Sequence, residues 1–161
     1  MSLVKPGKEC DLCLPFIPEA PFDLFHEGHV ELLRSCKRLA GDGLVIVALN
    51  TDEFIKRFKA SGPVQTYRER KTVLESCKYV DLVVPNIGEE DSRKTIESVS
   101  SQDGMGPIDV IAIGSDWAGR DYYGQMGFTK EWLDERDLIL IYIDRRTGMS
   151  TTKIKAKLRN E

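Results

Sequence analysis

The sequence predicts an α/β protein: a Rossmann-like, doubly wound, five-stranded and mostly parallel sheet with helices on both faces. Three apolar runs carry much of this reading. LVIVAL at 44–49, VIAIG at 110–114 and LILIYI at 138–143 are continuous rather than alternating, as in strands covered on both faces. Segments of helical period lie between such runs, so strand and helix alternate about five times, and right-handed crossovers then build an open sheet. With 161 residues the chain fits one domain around one core.

Residues 1–13 are expected to be a flexible N-terminal extension of a domain spanning 1–161. The apolar patch Leu12 to Ile17 is the first strand, and Pro15, Pro18 and Pro21 make it irregular because each removes a ladder donor. From Val30 the apolar residues fall at 30, 32, 33, 36, 39 and 40, a helical period that Gly41 and Gly43 end. After LVIVAL, Asn50 is the expected cap, with Glu53, of a short helix running to Phe58. Residues 59–65 read as a loop. Thr66 and Glu69 form a capping box for a helix with Val73, Leu74 and Cys77 on its inner face.

DLVVP at 81–85 is the next short strand, and 90–100 reads as a polar surface helix. Beyond the strand ending at Gly114 comes an irregular stretch from Trp117, then the helix-like FTKEWLDER at 128–136. The last strand lies within 138–143, and Ser150 caps a final helix running to about Arg159.

Composition narrows the function. Lys and Arg number 23 against 26 Asp and Glu, a net charge of -3, so no global charge points to a nucleic-acid partner. No apolar run approaches a membrane span and no signal-peptide pattern opens the chain, so a soluble, cytoplasmic protein without membrane insertion is expected. Cys10 and Cys13 form a lone CxxC without a second ligand pair; Cys36 and Cys77 fall on apolar helix faces. Unreactive thiols are the expected reading of all four, with no metal site.

Three polar clusters sit just after predicted strands. FDLFHEGH at 22–29 holds the chain's two histidines, three residues apart, at a helix start whose N–H groups and dipole favour an anion; Gly28 lets a phosphate approach the backbone. Lys56, Arg57 and Lys59 follow the second strand, with Arg70 on the next helix. RRTGMSTT at 145–152 places a glycine and several hydroxyls before the last helix, a second anion-binding terminus. Singly, each is ordinary: a pair of surface histidines, solvated lysines, a cap. Together they fit a triphosphate, and phosphoryl or nucleotidyl transfer needs positioning and charge neutralisation rather than a protein nucleophile.

In these motifs the sequence resembles the HxGH nucleotidyltransferase superfamily and, within it, the glycerol-3-phosphate cytidylyltransferases. The resemblance covers about residues 14–158 and rests on FDLFHEGH, NTDEF at 50–54, YRERK at 67–71, YVDLVVP at 79–85, IGSDW at 113–117 and RRTGMSTTKIK at 145–155. It implies that His26 and His29 contact the triphosphate and stabilise the transition state, with Lys59 and Arg145 as further catalytic cations. Phe22, Asp23, Gly28, Gly114, Ser115, Asp116, Ser150, Thr151 and Thr152 would bind the nucleotide, and Arg57, Arg70 and Lys94 the acceptor.

The implied reaction joins CTP to an alcohol phosphate, glycerol 3-phosphate first among them, and releases pyrophosphate. Mg2+ would be bound through the triphosphate, in a homodimer. The chain departs from the family pattern in having Ala20 and Pro21 before Phe22, Arg146 beside Arg145, and Ser115 in place of an aspartate. Two other readings share these motifs. One is an adenylyltransferase acting on a sugar 1-phosphate, since KRFKASGPV resembles the loop of the ADP-heptose-forming branch. The other is a catalytically weak nucleotide-binding protein in which Pro18 and Pro21 distort the first strand.

Overall fold

The computed structural model describes residues 15–59, 61–115, 121–144 and 148–159. Asp116, Trp117, Arg145, Arg146, Cys10 and Cys13 lie outside the described residues. The order is β1 (Pro15–Ala20), α1 (Glu27–Ala40), β2 (Ile46–Leu49), α2 (Asp52–Phe58), α3 (Tyr67–Glu75), β3 (Leu82–Pro85), α4 (Ser92–Ser100), β4 (Val110–Gly114), α5 (Tyr122–Met126), α6 (Lys130–Asp134), β5 (Ile139–Ile143) and α7 (Thr151–Arg159).

The strands pair in the order β3-β2-β1-β4-β5, and every pairing is parallel. The chain thus winds outward from β1 to β3, then crosses back over β1 to β4. That reversal puts the topological switch between β1 and β4, where the carboxyl ends of parallel strands open a ligand crevice.

Two apolar layers follow from the continuous runs. On one face Ile17, Val45, Val47, Leu49, Ala112 and Ile143 pack with Leu33, Cys36 and Ala40 of α1 and Leu74 of α3. On the other, Ile46, Ala48, Ile111 and Ile113 pack with Ile96 and Val99 of α4, Met126 of α5, Leu133 of α6, and Phe128 between these last two helices. All residues of β2 and β4 are buried, whereas the edge strand β5 leaves Ile139 and Tyr142 exposed.

Several elements differ from expectation for local reasons. The register between β1 and β2 shifts between Ile17 and Ala20, the interval that holds Pro18 and its missing donor. The stretch at 90–100 is amphipathic rather than a polar surface helix, with Ser92, Thr95, Ile96 and Val99 buried. The segment after Trp117 contains α5, and α6 is short.

Thr51, not Asn50, caps α2: its Oγ1 accepts the Phe54 N–H at 3.2 Å. Asn50 turns inward, where its Oδ1 accepts the Asn86 side-chain amide at 3.0 Å. Thr51→Ala should therefore cost about 1 kcal/mol. Asn50→Ala should cost more, about 1–3 kcal/mol, because a buried donor of Asn86 loses its acceptor. Denaturant midpoints decide the order; equal and negligible costs would contradict this assignment.

Candidate active site

The chain leaves β1 through a tight, strained loop. Phe22 and Leu24 hold left-handed backbone at φ 44 and 50, a conformation that costs non-glycine residues about 1–3 kcal/mol each and persists only where contacts impose it. Those contacts are present. The Phe22 ring is 1% exposed beneath His29, with ring centroids 5.0 Å apart. The Leu24 N–H donates to Gln65 Oε1 at 2.9 Å, and Pro21 O accepts from Arg70 NH1 at 2.6 Å.

α1 begins directly after this loop, and the two histidines cap it. The Gly28 N–H donates to His26 Nδ1 at 3.1 Å, and the His26 N–H donates to His29 Nδ1 at 3.3 Å. The rings stack with centroids 3.8 Å apart, each residue 9% exposed. A nitrogen that accepts an N–H carries no proton, so these bonds assign the proton of each neutral ring to Nε2. The start of α1 thus combines a helix dipole, a glycine that leaves room beside the backbone, and two imidazole donors.

Asp23 holds this loop to two other parts of the chain. Its Oδ1 accepts the Gln65 N–H at 3.0 Å, and its carboxylate receives the Val64 N–H at 3.0 Å from Oδ2. Lys155 of α7 pairs with Oδ2 at 3.2 Å, and the Thr151 hydroxyl donates to the Asp23 carbonyl at 2.8 Å. The start of α7 therefore stands beside the start of α1. Ser150 caps α7, its Oγ accepting the Lys153 N–H at 3.2 Å.

Burial pushes the Asp23 carboxyl upward, but the N–H groups of Gln65 and Val64 and the Lys155 ammonium outweigh it and hold the group below its ordinary 3.8. A carboxylate depressed in the folded state contributes stability above its unfolded pKa and loses it as pH falls through the lower folded value. Urea midpoints should accordingly fall on acidification below about pH 4, and Asp23→Asn should flatten that limb while lowering stability at neutral pH. Parallel acid limbs for the two proteins would exclude this role.

The remaining expected site residues divide by place. Gly114 ends β4 on the far side of the switch from the histidines, and Ser115 Oγ donates to Asp144 Oδ1 at 3.1 Å, joining the ends of β4 and β5. Thr152 is exposed on the first turn of α7. Lys59 is exposed at the end of α2, its N–H bonded to Ile55 O. Arg57 pairs with Glu89 at 2.5 Å and lies 3.6 Å from Glu90, while Lys94 is exposed on α4; both occupy the β2–β3 side.

Arg70 corrects the sequence reading. It is 1% exposed and faces the scaffold, not an acceptor. Nε donates to Gln65 O at 3.1 Å, NH1 to Pro21 O, and NH2 to Asn50 O at 2.8 Å and Asp52 Oδ1 at 2.7 Å. The guanidinium thus clamps the ends of β1 and β2. Helical spacing carried the signal: Arg70 stands four residues before Leu74, on the same inward face.

Gln65 and Lys155 were missed as partners of Asp23. Both bonds span long sequence separations, which no local spacing reveals. The Cys36 thiol is pushed to about 12 by burial, in accord with an unreactive core residue. No helix among the described residues is long and apolar enough to cross a membrane.

The chain is similar to known proteins over most of its length. The cytidylyltransferase-like family model matches residues 21–157. The glycerol-3-phosphate cytidylyltransferase of Staphylococcus aureus is 39% identical over 85% of this chain and 89% of its own length. That of Bacillus subtilis is 37% identical over 85% of this chain and 91% of its own. Among solved structures, a lipopolysaccharide core biosynthesis protein from Thermoplasma volcanium superposes with a TM-score of 0.62 over 84% of this chain and 99% of its own, at 20% identity, a likeness of fold. The motif order, the parallel sheet and the extent of these matches lead to one conclusion: the chain belongs to the cytidylyltransferase-like family.

Proposed function

We propose that this protein is a cytidylyltransferase that joins CTP to glycerol 3-phosphate, giving a CDP-alcohol and pyrophosphate. The observation that carries the reading is the near full-length similarity to two glycerol-3-phosphate cytidylyltransferases. The geometry supports it, because two helix N-termini and two stacked imidazoles gather at one strand end.

In the proposed reaction a phosphate oxygen of the acceptor attacks the α-phosphorus of CTP. A new P–O bond forms, the bond to the β-phosphate oxygen breaks, and pyrophosphate leaves. His26 and His29 donate from Nε2 to the non-bridging and leaving oxygens, where negative charge grows, and Lys59 and Arg145 add positive charge. Ser150, Thr151, Thr152 and the start of α7 hold the phosphates from the other side, and Gly28 gives them room. Phe22 backs the His29 ring. Asp23, its carboxylate engaged by backbone and Lys155, acts by holding the loops rather than by touching phosphate. Gly114 and Ser115 line the nucleoside side, a role the family resemblance also assigns to Asp116; Arg57 and Lys94 attract the acceptor's phosphate.

The described residues contain no cluster of three or more His, Cys, Asp or Glu that would hold a metal ion. In this reading Mg2+ enters with the triphosphate as part of the substrate, the way this ion commonly reaches phosphoryl-transfer sites. The proposal extends to a cytoplasmic homodimer.

The test is pyrophosphate release with Mg2+ and glycerol 3-phosphate, run with CTP and with ATP. CTP should be the better donor. Preference for ATP with a sugar 1-phosphate would move the protein to adenylyl transfer, and silence with either nucleotide across a panel of alcohol and sugar phosphates would leave a nucleotide-binding protein without turnover.

A further inference from the structure

We infer that Lys155 is a positioning residue for the nucleotide: by pairing with buried Asp23 it fastens α7, and the helix end that faces the phosphates, to the histidine loop. This rests on the reading of the site as a triphosphate clamp.

α7 has nine residues and buries none of them; Leu158 is 64% exposed. A helix this short is marginal by itself, and most helices in proteins are stabilised by an apolar face packed on a core. α7 has no fully buried residue to supply that support, Ile154 being only half-buried. Its described side-chain ties to the body of the protein are polar and converge on one residue. The Thr151 hydroxyl binds the Asp23 carbonyl at 2.8 Å, and Lys155 binds the Asp23 carboxylate at 3.2 Å. Thr151 and Lys155 are four residues apart, so they lie on one face of the helix.

The far end of this tie is rigid. Asp23 is 4% exposed and its carboxylate is already anchored by the Val64 and Gln65 N–H groups. Lys155, with its side chain 22% exposed, therefore meets a fixed, dehydrated charge, where a charge-assisted bond is stronger than a surface pair. The neighbouring bases are placed otherwise. Lys153 bonds to Gly148 O within its own segment, and Lys157 and Arg159 are exposed. The helix end that Lys155 steadies carries Ser150, Thr151 and Thr152. A displacement of about an ångström there would misplace phosphate donors relative to the histidines, a loss of rate out of proportion to its size.

The experiment compares wild type, Lys155→Met, Lys155→Arg and Lys157→Met, the last removing the same charge from an exposed position. Amide exchange of α7 in the nucleotide-free protein and steady-state kinetics with CTP are both measured. Lys155→Met should speed exchange across α7 and raise KM for CTP, each roughly tenfold, the worth of one charge-assisted hydrogen bond, while kcat changes far less. Lys155→Arg should restore most of both, and Lys157→Met should match wild type.

Wild-type exchange and KM in Lys155→Met, or equal losses in Lys157→Met, would overturn the proposal. If the wild type releases no pyrophosphate with any donor, the functional reading fails by itself, and α7 exchange still decides whether Lys155 fastens the helix.

Discussion

Replacing His29 with alanine is expected to lower kcat/KM by roughly a hundred- to a thousand-fold, the usual cost of removing one preorganised donor from a developing oxyanion. Stability should fall by only about 1 kcal/mol, the scale of a lost helix cap. The asymmetry follows from the double use of the ring. Nδ1 accepts the His26 N–H and helps close the helix start, while in the proposed reaction Nε2 donates to the phosphate. Alanine removes both, but the cap is one hydrogen bond among many and the donor is one of few.

The ring also packs against Phe22 and Phe25, with centroids at 5.0 and 5.5 Å, so some loosening of the strained loop accompanies the change. His26→Asn separates the two effects. Asparagine remains a good N-cap, so the helix should survive while turnover falls. A His29→Ala protein with wild-type turnover, or one whose lost turnover merely tracked its lost stability, would refute the catalytic role.

Arg70→Met is expected to destabilise the protein by about 3–5 kcal/mol, the range for breaking a buried ion pair by removing one partner. Three carbonyls, of Pro21, Asn50 and Gln65, lose a charged donor at once, and Asp52 loses its cation at 2.7 Å. Lysine is a poor substitute, because a point charge on a flexible stem cannot span the same fork of acceptors. Urea midpoints measure the loss. Had Arg70 been an acceptor-binding residue, its removal would raise the acceptor's KM and leave the midpoint in place, which is the opposite pattern. Because Pro21 immediately precedes the left-handed Phe22, the clamp also explains how a proline is accommodated there: its carbonyl is held even though its nitrogen donates nothing.

These two residues also show what the sequence disclosed. His26, Gly28 and His29 were legible as a cluster because they are local: a cap and two positions in the first turn of the helix that follows a strand. The buried runs of β2 and β4 were legible for a similar reason, since continuous apolar character marks strands covered on both faces. Ser150 and Thr66 announced their helices through capping chemistry that spans three residues.

Asn50 misled because asparagine is as good a cap as threonine, and the choice was made by Asn86, a residue 36 positions away. The same distance effect hid Asp23's partners, 41 to 132 positions along the chain, and with them the polar fastening of α7. Arg70 read as a ligand-binding cation because a buried arginine is rare; its burial is explained by the carbonyls of Pro21, Asn50 and Gln65 and the carboxylate of Asp52.

Turnover by the proposed route depends on the two Nε2–H groups at the start of α1, and imidazole 15N–1H NMR observes them directly. The chain contains only His26 and His29, so the spectrum has two rings to assign. The free protein should show Nδ1 unprotonated and Nε2 protonated in both, and CTP with Mg2+ should shift both Nε2 signals while leaving the tautomers unchanged. Nδ1-protonated rings, or Nε2 signals that ignore a saturating concentration of every nucleotide tested, would contradict that route.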